Sequence, residues 1–591
     1  MALEATPTGN NLPLRAADFP NLAAALDYAA LGRTGSNFYS RRGELYAVLT
    51  YAELRDQALE LARRLCGLGP ARGARVAIVA DTHPDFLRFF FACQYAGLVP
   101  VPLPIPLNPG GHKTYVEQIR AMVQSCQASL AMAPADYSEL LEEAAEGLGL
   151  AFVGTPEAYD ALPQQAGELQ PMQADELAYL QYTSGSTRFP RGVMITQRAV
   201  LSNLSSIIIE GMDMRTSDRC VSWLPFYHDM GLVGLVLVPM ASQLTVDYLG
   251  TREFAMRPKQ WLSLMSRNKA TISFSPPFGY ELCNRRLREG EAEKFDLSAW
   301  RVAGVGAETI RPQVLYDFAE ALGPSGFDRK AFLACYGMAE CSLAVSFAPL
   351  EENLSVDCVD ADYLALHDHA RPAAGEERLS EFVNCGVPLS EFEVEVRDAS
   401  GEVVPERHIG VIHVRAPSVM QGYFNEPGIT VETLSPDGWL DTGDIGYRVS
   451  DGIMITGRKK DLIIVNGRNI WPQDLEQLAE QQPDVRPGDA LAFAVPGTDG
   501  ADAAVMVVQC REKDVGKRAE LIRRLQGLIH TEVGVDCHIE LAPLHTLPRT
   551  SSGKLSRSKA RQNYIAAHRL GHGGSLKDRE EAAVPLLKQA V

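Results

Sequence analysis

The run Tyr182-Thr-Ser-Gly-Ser-Thr-Arg-Phe-Pro-Arg-Gly-Val193 gathers small hydroxyl and glycine residues between two apolar segments. Side chains this small let backbone N–H groups approach an anion closely. Thr183, Ser184, Ser186 and Thr187 add hydroxyl donors around Gly185, and Arg191 supplies a fixed cation. That set suits a polyphosphate. The G-x-x-x-x-G-K-[ST] arrangement is absent, and the loop runs into an apolar strand rather than a helix, which argues against a Walker-type nucleotide site. Taken alone, the cluster leaves an ordinary Ser/Thr/Gly surface turn as the lesser alternative.

Other stretches carry reactive groups, each with a plainer reading beside it. Tyr336-Gly-Met-Ala-Glu340 frames small residues with an aromatic ring and a carboxylate, in the plain reading a surface turn. Gly438-Trp-Leu-Asp-Thr-Gly-Asp444 sets Asp441 and Asp444 around a glycine turn, where an acceptor-only carboxylate can take two hydroxyl donors. The segment Ile455 to Ile470 places Arg458, Lys459, Lys460 and Arg468 about an apolar strand, in the plain reading a solvated basic turn. Pro548-Arg-Thr-Ser-Ser-Gly-Lys554 presents a lysine from a Ser/Gly loop, where lysine is normally just exposed. Ser222-Trp-Leu-Pro-Phe-Tyr-His-Asp-Met-Gly231 sets Tyr227, His228 and Asp229 on apolar ground, where a histidine is usually a satisfied core group.

The elements that must position these groups follow from periodicity. Leu177 to Tyr182 and Val193 to Thr196 read as short buried strands flanking the hydroxyl loop. Gln197 to Glu210 has Val200, Leu201, Leu204, Ile207 and Ile208 at helical spacing. Upstream, Arg75 to Ala80 reads as a strand, Pro84 to Tyr95 as a Phe-rich helix and Leu98 to Leu103 as the next strand. This is a βαβ rhythm, which implies a mostly parallel sheet covered by helices. The proline-dense connection from Pro100 to Pro109 cannot donate a regular ladder and is expected to be an extended, stiff surface segment. Between Ala348 and Glu381 lies a polar, acidic stretch of weak periodicity, of the kind that is usually flexible decoration or function. From Asp461 to about Ala566 the pattern is strand, helix, strands (Ala490 to Val495, Ala503 to Gln509), helix (Arg518 to His530) and strand, α+β in character, and the tail after Arg569 is polar and expected to fray. The expected class is therefore α/β, with a large domain over 1–459 and a small α+β domain over 460–591.

Composition narrows the function. A chain of 591 residues, 46% hydrophobic and 22% charged, buries large cores and divides into more than one domain. A net charge of -18 makes nucleic acid an unsuitable general partner. The 11 cysteines are scattered without a C-x-x-C pair, so neither a disulfide framework nor a zinc site is expected, and a reducing, cytoplasmic setting fits. Neither a signal peptide nor a membrane span is expected, since no uninterrupted apolar run reaches ~18 residues, and Gly231 to Met240 reads as core.

The loop from Tyr182, followed by Pro190 and Gly192-Val193, resembles the signature loop of the adenylate-forming superfamily. Phe91 to Pro106 and the order Arg257-Pro-x-x-Trp261, then Ala270 to Cys283, resemble its fatty acyl-AMP ligase branch. The resemblance runs from about Phe38 to Ala566 and implies roles residue by residue. The hydroxyl loop would hold the β- and γ-phosphates of ATP. Gly306, Ala307 and Glu308 would border a flat slot for adenine, Tyr336 with Gly337 and Met338 would stack against it, and Glu340 would help hold Mg2+. Asp444 would accept the ribose hydroxyls, Arg458 would contact ribose or phosphate, and Lys460 would be the hinge of the mobile small domain. Lys554 would be the catalytic cation. Tyr227, His228 and Asp229 would wall the acyl pocket, with Phe278, Gly279 and Tyr280 bordering it. His228 is not assigned as a base, because a carboxylic acid is already ionised at pH 7. Two positions depart from the family pattern: Arg188 stands for its glycine and Arg191 for its lysine.

By the same resemblance, an insertion at about 348–381 is associated with failure to use coenzyme A. The implied activity is ATP-dependent conversion of a fatty acid to acyl-AMP with release of pyrophosphate. Acyl transfer to the phosphopantetheine arm of a separate acyl carrier protein would follow. The alternatives are an acyl-CoA synthetase and a catalytically degenerate nucleotide-binding scaffold. Chain length, carrier identity and oligomeric state are not legible in the residues.

Overall fold

The computed structural model describes residues 3–570, apart from 107–111, 184–189, 376–377, 466–467, 497–501 and 551–553. Four parallel strands, β1 (Arg75–Val79), β2 (Val99–Leu103), β3 (Ala128–Met132) and β4 (Phe152–Gly154), form one sheet in the order β2-β1-β3-β4. Helix α1 (Pro84–Ala96) connects β1 to β2, starting on a proline whose missing N–H costs nothing in the first turn and burying Phe86, Phe89, Phe90 and Phe91. The proline segment differs from expectation. Pro100 and Pro102 lie inside β2 and are buried rather than on the surface. They are tolerated because β2 is an edge strand and the prolines alternate, which turns the missing donors away from β1.

Strands β5 (Leu177–Tyr182) and β6 (Gly192–Thr196) pair antiparallel around the hydroxyl loop. Thr196 caps α2 (Gln197–Ser206) by accepting from the Ala199 N–H, and the helix continues into a π-helical turn, Ile207–Gly211. A nine-stranded sheet follows. At its centre β7 (Arg219–Ser222), β8 (Ile272–Ser275), β9 (Val302–Val305) and β10 (Phe332–Gly337) run side by side in parallel, in the order β10-β9-β8-β7. Helix α3 (Pro277–Arg286) follows β8 and α4 (Pro312–Leu322) follows β9. The apolar run from Gly231 to Met240 is buried helix, including a second π-helical turn, Val233–Leu237.

The acidic stretch is not loose. It folds into β11 (Val356–Asp360), α5 (Ala361–His367) and β12 (Leu379–Val383), with β11 and β12 paired antiparallel. Val359, Leu364, Ala365, Ala370 and Phe382 share a small core with Tyr447 and Met454, from β13 (Leu440–Val449) and β14 (Gly452–Arg458), and with Trp471. A separate core joins Ile463 to Leu541. It lies between α6 (Pro472–Glu480), α7 (Val515–Val533) and one face of the sheet of β15 (Ala490–Pro496), β16 (Asp502–Gln509) and β17 (Cys537–Ala542). The other face is covered by α8 (Arg557–Leu570) through Ala560 and Tyr564. Among the described residues no helix is long and apolar enough to cross a membrane, and no group of three or more His, Cys, Asp or Glu stands ready for a metal.

Candidate active site

Parallel strands present their carboxyl ends along one edge, and open α/β sheets bind ligands there. Past the end of β7 come Tyr227, His228 and Asp229; past β9 come Gly306, Ala307 and Glu308; past β10 come Met338, Ala339 and Glu340. A cavity of about 380 Å³ opens over these ends. Its polar half takes in Thr183, Arg191, His228, Asp229, Glu340, Asp441, Arg458, Lys460 and Lys554. Its apolar half is formed by Ile207, Met212, Gly234, Phe274, Leu343 and Phe347.

The β10 turn is forced by close approach. A Cβ on Gly337 would stand 1.9 Å from the Leu343 carbonyl oxygen, so only glycine fits, and the Met338 N–H donates to that same oxygen at 2.8 Å. Tyr336 is buried, and its hydroxyl donates to Asp444 Oδ2 at 2.8 Å; burial and that carboxylate hold the phenol far above its ordinary pKa. Asp444 Oδ1 pairs with Arg458 Nε at 3.0 Å. Asp444 therefore holds Tyr336 and Arg458 from behind, while Asp441, Thr442 and Gly443 line the cavity itself.

Glu340 Oε1 accepts the Tyr423 hydroxyl at 2.8 Å, and the Arg191 guanidinium lies 5.5 Å from the centre of the Tyr423 ring. Burial raises the Glu340 carboxyl, with Tyr423 and Arg458 working against the rise. A single buried carboxylate facing a cavity fits Mg2+, which keeps most of its ligands as water and phosphate oxygens and takes few from protein. Thr183 closes the β5–β6 turn by donating from its N–H to the Arg191 carbonyl at 3.0 Å. Ser184, Gly185, Ser186, Thr187 and Arg188 lie outside the described residues.

His228 Nδ1 stands 2.6 Å from Asp229 Oδ1. Burial pushes the Asp229 carboxyl up, but His228 and, further off, Lys554 outweigh it and leave it below the usual range. The Gln181 amide fixes this loop by donating to the Tyr227 carbonyl at 2.6 Å. Lys554, carried by the small domain, donates from Nζ to the Ala307 carbonyl at 2.7 Å. Burial lowers its pKa, and Glu308 and Asp229 partly restore it. Ala307 is held at φ +67°, a left-handed conformation that aims its carbonyl at the lysine's side of the cavity. Glu308 Oε1 is buried with no partner among the described residues, and burial raises that carboxyl too.

One expected wall lies elsewhere. Phe278, Gly279 and Tyr280 do not line the cavity. Helix α3 starts at Pro277 and turns Gly279 and Tyr280 into the core, with Phe278 half-buried at its margin: the Tyr280 hydroxyl donates to the Gly304 carbonyl at 2.8 Å, Phe278 packs edge-on to Trp223, and Gly279 abuts Trp223 and Ser275. The residue of this segment that reaches the cavity is Phe274 of β8. Gly306 and Glu308 also sit behind the surface, which Ala307 and Cys335 form. Ile207, Gly234 and Phe274 had a sequence signal only in being apolar or small within buried elements, which does not distinguish a wall from a core.

A family model described as AMP-binding enzyme matches residues 24–424. A putative acyl-CoA synthetase of Caulobacter vibrioides is 48% identical over 95% of this chain and 98% of its own length. The medium-chain-fatty-acid–[acyl-carrier-protein] ligase JamA of Moorena producens is 31% identical over 93% of this chain and 95% of its own. A solved structure from work on fatty acyl-adenylate ligases from E. coli and L. pneumophila has a TM-score of 0.91 at 46% identity, covering 94% of this chain and 100% of that chain. The chain belongs to the AMP-binding enzymes. It is an adenylate-forming ligase, and within that class its similarity extends to the fatty acyl-AMP ligases, as its motifs implied.

Proposed function

We propose that the protein activates a fatty acid as acyl-AMP and passes the acyl group to the phosphopantetheine thiol of an acyl carrier protein. In the first step a carboxylate oxygen bonds to the α-phosphorus of ATP and the bond to pyrophosphate breaks. In the second the thiol sulfur bonds to the acyl carbon, AMP leaves and the thiol proton is released. The observation that carries the reading is one cavity lined both by apolar residues, from Ile207 to Phe347, and by polar and charged residues that include Lys554. An acyl chain fits the first and a phosphate the second.

The chain's own groups act by positioning and charge. All five of the residues with a role here line the cavity: Lys554 would stabilise the carboxylate and α-phosphate oxygens together, Arg191 and Thr183 would meet the outer phosphates, and Asp441 with Arg458 would meet the sugar. Glu340 is the residue that would hold Mg2+, whose contribution when bound is to neutralise phosphate charge. No side chain is needed as a covalent nucleophile.

The test is pyrophosphate release with a series of fatty acids, followed by acyl transfer offered in parallel to holo acyl carrier protein and to coenzyme A. Acylated carrier with little acyl-CoA is the expected result. Efficient acyl-CoA formation would favour the second reading, an acyl-CoA synthetase, the class to which the Caulobacter relative is provisionally assigned.

A further inference from the structure

We propose that Arg311 is a positioning residue for adenylation: by clasping Glu281 of the large domain and Glu480 of the small one, it fixes the orientation in which Lys554 reaches the cavity. The inference rests on Lys554 acting at the reacting oxygens.

Arg311 stands at the start of α4 and splits its guanidinium between the two domains. Nη1 donates to Glu480 Oε2 at 2.8 Å and Nη2 to Glu281 Oε2 at 2.9 Å. A planar fork can serve two carboxylates in this way, which a lysine's point charge does not reproduce. Glu281, on α3, is held at its other oxygen by Arg285 at 2.7 Å, and Arg285 also donates to the Pro487 carbonyl of the small domain at 2.7 Å. The contact is therefore anchored on both sides.

The clasp connects mechanically to the cavity through short, stiff links. Glu480 lies one helical turn beyond Glu476 on α6, and both oxygens of Glu476 accept from Arg557 Nη2, at 2.8 and 2.7 Å. Arg557 opens α8, directly after the loop that carries Lys554. On the large domain, Arg311 follows closely on Ala307, the residue whose carbonyl accepts from Lys554. The two ends of the frame thus meet at the same pair of elements, and a shift of α6 against α4 moves Lys554 away from Ala307.

Charge gives the clasp a signature that a merely structural contact lacks. The Glu480 carboxyl is pushed up to about 7 by burial, while Arg311 and the Gly488 N–H pull it down and Glu476 and Glu281 add to the push. Arg285 on α3 and Arg557 at the start of α8 complete the charges around it. When the domains part, Glu480 returns to water and to the ordinary carboxylate range. The closed form therefore binds a proton more tightly there, so low pH favours closure and rising pH through about 7 works against it. Arg311 offsets that opposition. Without it the buried carboxylate loses its nearest cation, and the opposition grows with pH.

The experiment compares wild type, Arg311→Gln and Arg311→Gln/Glu480→Gln. It measures pyrophosphate release from a fatty acid, ATP and Mg2+ between about pH 6 and about pH 8.5, with ATP binding measured alongside. Arg311→Gln is expected to lose about tenfold in kcat at the upper end and less at the lower, with KM for ATP nearly unchanged. Adding Glu480→Gln should restore most of the high-pH activity, because removing both partners of a buried pair leaves no uncompensated charge. Wild-type activity of Arg311→Gln at every pH would overturn the assignment. So would a loss independent of pH that Glu480→Gln does not relieve. No release by the wild type with any fatty acid would overturn the reading of the cavity, and this assignment with it.

Discussion

The ammonium of Lys554 donates to the carbonyl oxygen of Ala307 at 2.7 Å, although the two residues are 247 positions apart. A carbonyl is a weak partner for a half-buried cation, and no carboxylate pairs with Lys554 within ion-pair distance among the described residues. The amine is therefore poised for an anion that arrives with substrate. Lys554→Ala is expected to lower adenylation by about a hundredfold or more while ATP still binds through the remaining cavity wall. Pyrophosphate release and equilibrium nucleotide binding, measured on the same preparation, check this; adenylation at the wild-type rate refutes the role.

The same lysine should set the alkaline limit. Burial lowers its pKa, and the nearby Glu308 carboxylate is the largest influence raising it again. The charged amine is the useful form, so adenylation should fall as pH rises through a value below that of free lysine. Glu308→Gln removes the restoring charge and should move that fall to still lower pH. A pH profile of kcat for the two proteins decides it, and coincident alkaline limbs would exclude the coupling.

What could be read from the chain was whatever lies close together along it. The hydroxyl run after Tyr182, the Tyr336 to Glu340 loop and the Lys554 loop are each contiguous, so residue type alone flags them. The apolar wall is not contiguous: Ile207, Gly234, Phe274 and Phe347 come from separate elements, which only the tertiary fold brings together. Phe278 and Tyr280 follow closely on Phe274 in sequence, yet the start of α3 turns Tyr280 into the core and leaves Phe278 half-buried against Trp223. Pro100 and Pro102 follow the rule that proline donates nothing, but strand position at a sheet edge, a tertiary fact, makes a buried strand of them. The acidic segment 348–381 hid its order because its apolar face is completed by Tyr447, Met454 and Trp471, all distant in sequence.

Stability rests in part on a buried ion pair between β7 and the strand Thr245–Leu249 beside it. Arg219 donates from Nε and Nη2 to the two oxygens of Asp247 at 2.7 and 2.8 Å, and Asn37 and Asn268 donate to the same carboxylate. Asp247 is fully buried. Arg219→Met leaves that carboxylate without its cation and should cost about 3–5 kcal/mol. Denaturant unfolding measures it. A change under about 1 kcal/mol would show that the two asparagines alone satisfy the charge.

Chain length should be set by how far the apolar half of the cavity extends. Gly234 lines it from the π-helical turn Val233–Leu237, and a Cβ there would stand 3.2 Å from Leu343 Cδ2. That is tight but not closed, since Leu343 ends in a flexible side chain. A larger side chain, by contrast, projects into space that an acyl chain would occupy. Gly234→Leu should therefore reduce adenylation of long-chain acids by about tenfold or more, the scale on which a hydrophobic pocket discriminates added methylenes. Short acids that end before this point should be turned over within about a factor of three of wild type. Profiling acyl-AMP formation over acids of increasing length separates the two. A uniform loss at all lengths would mean that the substitution disturbs the π-helical turn itself, and an unchanged profile would mean that the acyl chain takes another path past Phe274.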